Sequence, residues 1–320
     1  MSNADWQPKV FRGNLGDVDL RLLRVFRVVV ECGGFTAAEI ALGTGKSSIS
    51  KHLADLEIRL GVRLCRRGRS GFALTAEGDQ VYRATLQLFT SLEDFKARVN
   101  AVNSRLVGTL ALGFVDTIVT DESSPLVGAL AQYRRIAPEV DLRVSVGSTT
   151  DIERGVLDGT LHVGIVLERA PVPGLSHRML YDEKSLLFCS SGHPLFARPD
   201  ESITSDELSS CAFVKRSYTE DEHATALKGI FNSAATADHV EAVATLILTG
   251  GFIGFLPEHY AASWVSRGKL RALAPKAMNY YTHFTTITRK GAPRPTVVDL
   301  FVRELEKVRD SLQVEIHETC

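Results

Sequence analysis

Apolar residues recur at helical spacing along the first sixty positions of the chain. Leu20, Leu22, Leu23, Phe26, Val29 and Val30 mark one face of a first helix, which Gly33-Gly34 ends because glycine accepts the left-handed cap conformation. Thr36 followed three positions later by Glu39 has the form of a capping box and predicts a short second helix ending near Leu42-Gly43. A third helix is predicted over 46–60, with Ile49, Leu53, Leu56 and Leu60 as its inward stripe and Gly61 as its stop. Beyond it, Val62-Arg63-Leu64 and Gly71-Phe72-Ala73-Leu74 flank Arg67-Gly68-Arg69-Ser70, the pattern of a small β-hairpin.

A different pattern follows. Thr75 is a good N-cap, with Glu77 placed to favour the positive end of the helix dipole. From there Val81, Thr85, Leu88, Leu92, Phe95, Val99, Val102 and Leu106 alternate at spacings of four and three, a heptad seam that is polar only at Thr85. About 29 residues at 1.5 Å each make a rod of roughly 43 Å. Little flanking sequence is available to cover the seam, so a second copy of the chain is its expected partner.

After Val107-Gly108 strands and helices alternate. Strands are predicted over 109–115, 140–146 and 163–166, with helices over 125–136 and 151–157 between them. A second set begins near Leu186 and includes Ala212-Phe213-Val214, a helix over 240–248 and the strand Ile253-Gly254-Phe255-Leu256. A strand over 285–289 and a helix over 297–312 return to the first set. This alternation predicts two α/β lobes with a mostly parallel sheet, crossed twice by the chain. It resembles the type II periplasmic solute-binding fold, with a ligand between the lobes.

Charge is unevenly spread. The 320-residue chain has a formal net charge of −1, yet residues 1–105 carry 16 Lys+Arg against 11 Asp+Glu and the remainder 21 against 27. A basic front and an acidic back confine nucleic-acid contact to the N-terminal part. The expected third helix exposes Lys46, Ser47, Ser48, Ser50, Lys51 and His52 in its first turns, cations and short hydroxyls suited to phosphates and base edges in a major groove. Arg59, Arg63, Arg66, Arg67 and Arg69 follow in a stretch, 58–76, that contains no acid. They give the hairpin a basic tip that reaches the phosphate backbone or minor groove.

Phe35-Thr36-Ala37-Ala38, Ser50-Lys51-His52-Leu53-Ala54-Asp55-Leu56-Glu57, Leu60-Gly61-Val62-Arg63-Leu64 and Leu74-Thr75-Ala76-Glu77-Gly78 stand in the order and spacing of the LysR-type transcriptional regulators, which the chain resembles. The resemblance implies a winged helix-turn-helix over 18–78 after an extension of 17 residues, a dimerising linker helix over 75–106, and an effector domain over 107–320. Lobe I of that domain takes about 107–182 and 283–320, lobe II about 183–282. It implies that Thr36, Lys46, Ser47, Ser50 and Lys51, with Arg66, Arg67 and Arg69 on the wing, meet double-stranded DNA at an interrupted inverted repeat. It also implies a dimer paired into a tetramer, and RNA polymerase as a further partner. Two departures stand out: Thr44-Gly45-Lys46-Ser47 replaces a Ser-Gln-Pro or Ser-Gln-Ser type turn, and Cys65 replaces an aromatic residue.

Within a two-lobed domain, ligand groups come from the carboxyl ends of strands and from helix N-termini. Thr117 and Ile118 follow the first strand, and Ser148 and Thr149 follow the second. Thr117 and Thr149 fall where the family places effector-contacting hydroxyls, although Thr149, Thr150 and Asp151 equally suit a helix cap. Lys215, Arg216 and Tyr218 on the second lobe offer opposing groups, and His239 opens a helix there. A small-molecule effector, a carboxylate or an aromatic acid, is the expected ligand, with no cofactor. H-E-x-x-H, G-x-S-x-G and Walker A sequences are absent, and the nine histidines show no metal-ligand spacing. Thr249-Gly250-Gly251-Phe252-Ile253-Gly254 lies between a helix and a strand, where turn chemistry explains its glycines. The five scattered cysteines suit neither a disulfide framework nor zinc, and a redox role for Cys189 or Cys211 has no support from their neighbours. No run is long and apolar enough to span a membrane, and residues 1–17 lack the apolar core of a secretory signal, so a cytoplasmic regulator rather than an enzyme is expected.

Overall fold

The computed structural model describes residues 14–68, 71–102, 106–216, 229–291 and 294–319. Its backbone divides into two compact units, the boundary falling after Glu93.

In the N-terminal unit, helices α1 (Asp17–Glu31), α2 (Phe35–Leu42) and α3 (Lys46–Leu60) precede an antiparallel hairpin of β1 (Cys65–Gly68) and β2 (Gly71–Leu74). Helix α4 (Ala76–Val102) follows at once. Leu22, Leu23 and Phe26 of α1 meet Leu53 and Leu56 of α3 and Leu64 in a shared core. A smaller cluster of Val29, Ala38 and Ile49 seats α2.

Two boundaries differ from the sequence pattern. Helix α2 begins at Phe35, before the expected cap at Thr36. Gly34 is the N-cap, with φ of 149°, and Phe35 packs edge-on against Phe72 at 5.8 Å. Glu39, the other half of the expected box, instead accepts the amide of Lys46 at 3.3 Å and so serves the next helix. The hairpin starts at Cys65 rather than Val62, because Glu57 draws the Leu64 and Cys65 amides onto its carboxylate at 2.8 and 3.3 Å.

Thr75 caps α4 as its sequence context suggests. Its hydroxyl accepts the Gly78 amide at 2.8 Å and donates to the Arg63 carbonyl at 2.6 Å. The first half of the heptad stripe is occupied within the chain: Val81, Leu88 and Leu92 pack on the same core, and buried Thr85 donates its hydroxyl back to the Val81 carbonyl at 2.7 Å. Only farther along do apolar side chains of the stripe stand clear, with Phe95 65% and Val99 47% exposed.

The second unit carries β3 (Gly108–Phe114), α5 (Leu126–Ile136), β4 (Val140–Val146), α6 (Thr149–Leu157), β5 (Val163–Leu167) and β6 (Leu175–Ser190). It continues with α7 (Ser205–Ser210), β7 (Phe213–Arg216), β8 (Ser233–Ala237), α8 (Val240–Leu248), β9 (Gly254–Pro257), α9 (Glu258–Ser266), β10 (Leu270–Ala272), β11 (Asn279–Arg289) and α10 (Thr296–Thr319). A seven-stranded sheet runs β10-β6-β11-β5-β3-β4, with β9 also on β6, and β7 pairs with β8 separately.

The expectation of a mostly parallel sheet is corrected here. β3 is parallel to β4 and β5, but β6, β9, β10 and β11 join antiparallel. The cause is that both crossings between lobes are themselves strands. β6 and β11 pair from Asn279↔Leu186 to Arg289↔Leu175, with a register shift at Phe284/Thr285, and each serves both lobes. One core fills lobe I, where Tyr133 of α5 meets Phe301 of α10 edge-on at 5.6 Å. Lobe II buries two clusters, around Phe213 and Phe255 and around Val243 and Ile247. No helix among the described residues is long and apolar enough to cross a membrane.

Gly78 offers a direct check on the wing joint. A Cβ there would lie 1.9 Å from the Leu64 carbonyl oxygen, a backbone atom that cannot step aside. Gly78→Ala is expected to destabilise the N-terminal unit by about 1–3 kcal/mol through overpacking. A thermal or urea melt of the full chain reads this, and an unchanged first transition contradicts it.

Candidate nucleic-acid face and candidate effector cleft

The glycine caps at Gly34 and Gly43 set α2 and α3 so that their first turns border a groove of about 810 Å³. Thr36, Lys46, Ser47, Ser50 and Arg66 line it, with Phe72 as its floor. The Lys46 ammonium reaches the Thr36 hydroxyl at 3.3 Å, which holds that cation across the groove mouth. Ser48 and Lys51 are exposed on α3 but lie outside the groove lining. His52, expected on the exposed face, is half-buried. It follows Ile49 by three positions and precedes Leu53 by one, so it flanks the inward stripe, and its Nδ1 is buried without a hydrogen-bond partner. Arg67 lies on β1, and Arg69 lies outside the described residues.

A buried acid fixes the angle of α3. Asp19, 1% exposed, receives the Arg59 guanidinium as a two-pronged contact and the Gly16 amide at 3.0 Å. The Arg59 hydrogen bond, then the Gly16 amide, hold its carboxyl below the usual aspartate range against the opposing effect of burial.

In the second unit, a cleft of about 460 Å³ opens where the strand ends of lobe I face lobe II. Ser148, Thr149, Arg216 and His239 line it, together with Asp116, Asp151, Arg169 and Asp238. Asp116 is the hub. One carboxylate oxygen accepts the Val240 amide at the N-terminus of α8 at 2.9 Å and lies 3.5 Å from His239 Nδ1. The other lies 3.6 Å from the Arg216 guanidinium, whose side chain is only 11% exposed. A lobe I carboxylate thus sits in the positive corner formed by a lobe II cation and a helix N-terminus.

The hydroxyls divide between framework and cleft. Ser148 is the cap of α6: its Oγ accepts the Asp151 amide at 3.2 Å and donates to the Asp151 carboxylate at 2.6 Å. Thr149 follows it on the cleft wall. Thr117 turns its hydroxyl to the Asp116 carbonyl at 2.7 Å and adopts a left-handed φ of 70°. Ile118, expected at the ligand, is 1% exposed in the lobe I core, because the 3-10 turn Ile118–Thr120 folds it inward. Lys215 is exposed on β7 and outside the cleft lining, since alternate residues of a strand face opposite ways and Arg216 takes the inner side. Tyr218 lies outside the described residues.

Sequence reasoning passed over Asp116, Arg169 and Asp238. The strand-end rule applies to Arg169, two positions past β5, whose guanidinium is paired with buried Glu153 and reaches Thr150 at 3.3 Å. Cys189 gives no sign of thiolate chemistry: burial pushes its thiol up to about 11, and burial likewise raises Cys211.

A winged helix-turn-helix joined to a two-lobed ligand domain defines a one-chain DNA-binding transcription regulator. Residues 20–79 match the bacterial regulatory helix-turn-helix protein, lysR family, and residues 103–310 match the LysR substrate binding domain. The chain belongs to the LysR family of transcription regulators. It is 47% identical over 286 residues, 89% of its length and 93% of the relative's, to the HTH-type transcriptional activator BauR of Pseudomonas aeruginosa. Among solved structures, full-length CbnR complexed with its target DNA shares the fold with a TM-score of 0.65 at 20% identity, covering 91% of this chain and 99% of CbnR. Full-length OxyR from Pseudomonas aeruginosa does so at 0.61 and 18%, covering 92% and 96%. The relatives are regulators, not enzymes.

The Asp19 contact predicts a pH dependence. Its lowered carboxyl stabilises the fold fully above the ordinary aspartate range, and that contribution disappears as pH falls through the depressed value. Asp19→Asn should therefore melt earlier at neutral pH while losing less stability on acidification than the parent chain. Parallel melting curves for the two on acidification would contradict the assignment.

Proposed function

We propose that this chain is a cytoplasmic transcription activator that binds an interrupted inverted repeat and responds to a small carboxylate in the cleft between its lobes. The groove-lining residues Thr36, Lys46, Ser47, Ser50 and Arg66 supply the DNA contacts, joined by Ser48 and Lys51 on α3 and by Arg67 and Arg69 of the wing. Lys46 and the serines approach base edges, and Arg66 approaches phosphate. BauR, a transcriptional activator at 47% identity, supports activation as the sign of control. The exposed Phe95 and Val99 on α4 support pairing with a second copy. Two such dimers assemble as a tetramer and present a surface to RNA polymerase.

One observation carries the effector reading: Asp116 occupies a corner built for a carboxylate, made by Arg216, His239 and the α8 N-terminus. An effector carboxylate exchanges with Asp116 there and changes the link between lobes, while Thr149 supplies a hydroxyl and Ser148 the α6 terminus. The ligand shifts the regulator because it binds one lobe arrangement better than the other. Among the described residues the lining is polar apart from Val115, Gly147 and Leu167 and holds no Phe, Tyr or Trp ring, which favours a small carboxylate over an aromatic acid.

An electrophoretic shift with the DNA upstream of the gene, at several salt concentrations, tests the first part. Sequence-specific binding is expected, and Arg66→Ala should weaken it on all sequences and lower the salt slope by about one. Absence of a specific shift at moderate salt removes the reading. For the cleft, a thermal-shift series of small carboxylates should include a stabilising compound, whose affinity falls about tenfold in His239→Ala or Thr149→Val for one lost hydrogen bond. Stabilisation by aromatic acids alone, or unchanged affinity in both variants, would overturn the ligand class and the site.

A further inference from the structure

At the lobe boundary, side chains from three separate elements converge. Asp121 follows the 3-10 turn in lobe I, Glu183 lies on the crossing strand β6, and His259 is in the first turn of α9 in lobe II. His259 Nε2 lies 2.9 Å from Glu183 Oε2 and 3.5 Å from Asp121 Oδ2, and the three ligand atoms all fall within 4.8 Å of one another. All are shielded, with side chains 3% exposed for Glu183, 7% for Asp121 and 16% for His259. The second oxygen of Asp121 is held by the Ser123 amide at 2.9 Å, which leaves Oδ2 facing the cluster.

Hydrogen bonds hold the imidazole in place. Thr120 has one hydroxyl hydrogen, and its Oγ1 lies 3.0 Å from the Thr117 carbonyl, a group that only accepts. Oγ1 also lies 2.9 Å from His259 Nδ1, so Thr120 holds the ring from behind. Nε2, on the other side of the ring, faces both carboxylates. The Tyr181 phenol, 6% exposed, has no hydrogen-bond partner of normal geometry, its contact with Ser124 being a weak one. Arg216, the guanidinium that acts on Glu183, also faces Asp116, so these two carboxylates share one fixed cation.

We propose that Asp121, Glu183 and His259 are the protein ligands of a divalent first-row transition ion held between the lobes. One imidazole nitrogen and two carboxylate oxygens suit zinc, cobalt or manganese, whereas calcium and magnesium favour all-oxygen sets. Thr120 orients the histidine from behind, as an outer partner of a metal ligand does. The ion ties Asp121 of lobe I to His259 of lobe II through the crossing strand.

Untagged full-length protein, stripped with chelator, is titrated calorimetrically with Zn(II) and Co(II). One ion per chain is expected, with cobalt giving the visible absorption of a mixed nitrogen and oxygen site. Glu183→Gln and Asp121→Asn, each confirmed folded by circular dichroism, should weaken binding about tenfold or more. Absence of saturable binding to the parent chain, or equal binding by both variants, overturns the proposal. Neither readout depends on DNA or on the effector.

Discussion

A carboxylate removed from water must be paired, and Asp116 meets that requirement by reaching from one lobe into the other. Its two oxygens are divided between the α8 N-terminus with His239 and the Arg216 guanidinium. Arg216 acts on Glu183 as well, so the cleft and the boundary cluster draw on one shared positive charge. The lobes are therefore linked by an electrostatic contact as well as by the crossing strands.

The N-terminal unit uses carboxylates differently. Glu39 caps α3 from the preceding helix, Glu57 gathers the amides leading into β1, and Asp19 anchors the far end of α3 through Arg59. Each acid satisfies backbone or guanidinium donors that would otherwise be orphaned at a helix end or turn. The result is a recognition-type helix fixed at both ends, with its cations and serines left facing outward.

Periodicity made much of this legible. The stripe Ile49, Leu53, Leu56 and Leu60 places α3 correctly, and the Thr75 cap is where local chemistry puts it. Contacts between distant residues were beyond that reach. Alternation of strands and helices suggests parallel pairing, but nothing local shows that β6 and β11 will serve both lobes as antiparallel partners. The same holds for the sites. Ser148 and Thr149 follow from the strand-end rule, whereas the role of Asp116 depends on Val240, 124 positions away. Asp121, Glu183 and His259 escape any spacing rule, since Glu183 and His259 alone are 76 positions apart. Heptad spacing, in turn, does not say which partner covers a stripe: Val81 and Leu88 turn to their own core, while Phe95 and Val99 do not.

The close approach at Gly78 has a mechanical meaning. With the first turn of α4 pressed onto the Leu64 carbonyl and Thr75 bonded to both sides of the junction, no slack remains between the hairpin and the rod. The two behave as crank and shaft. With the junction this tight, the strand that carries Arg66 keeps a fixed direction relative to the first turn of α4.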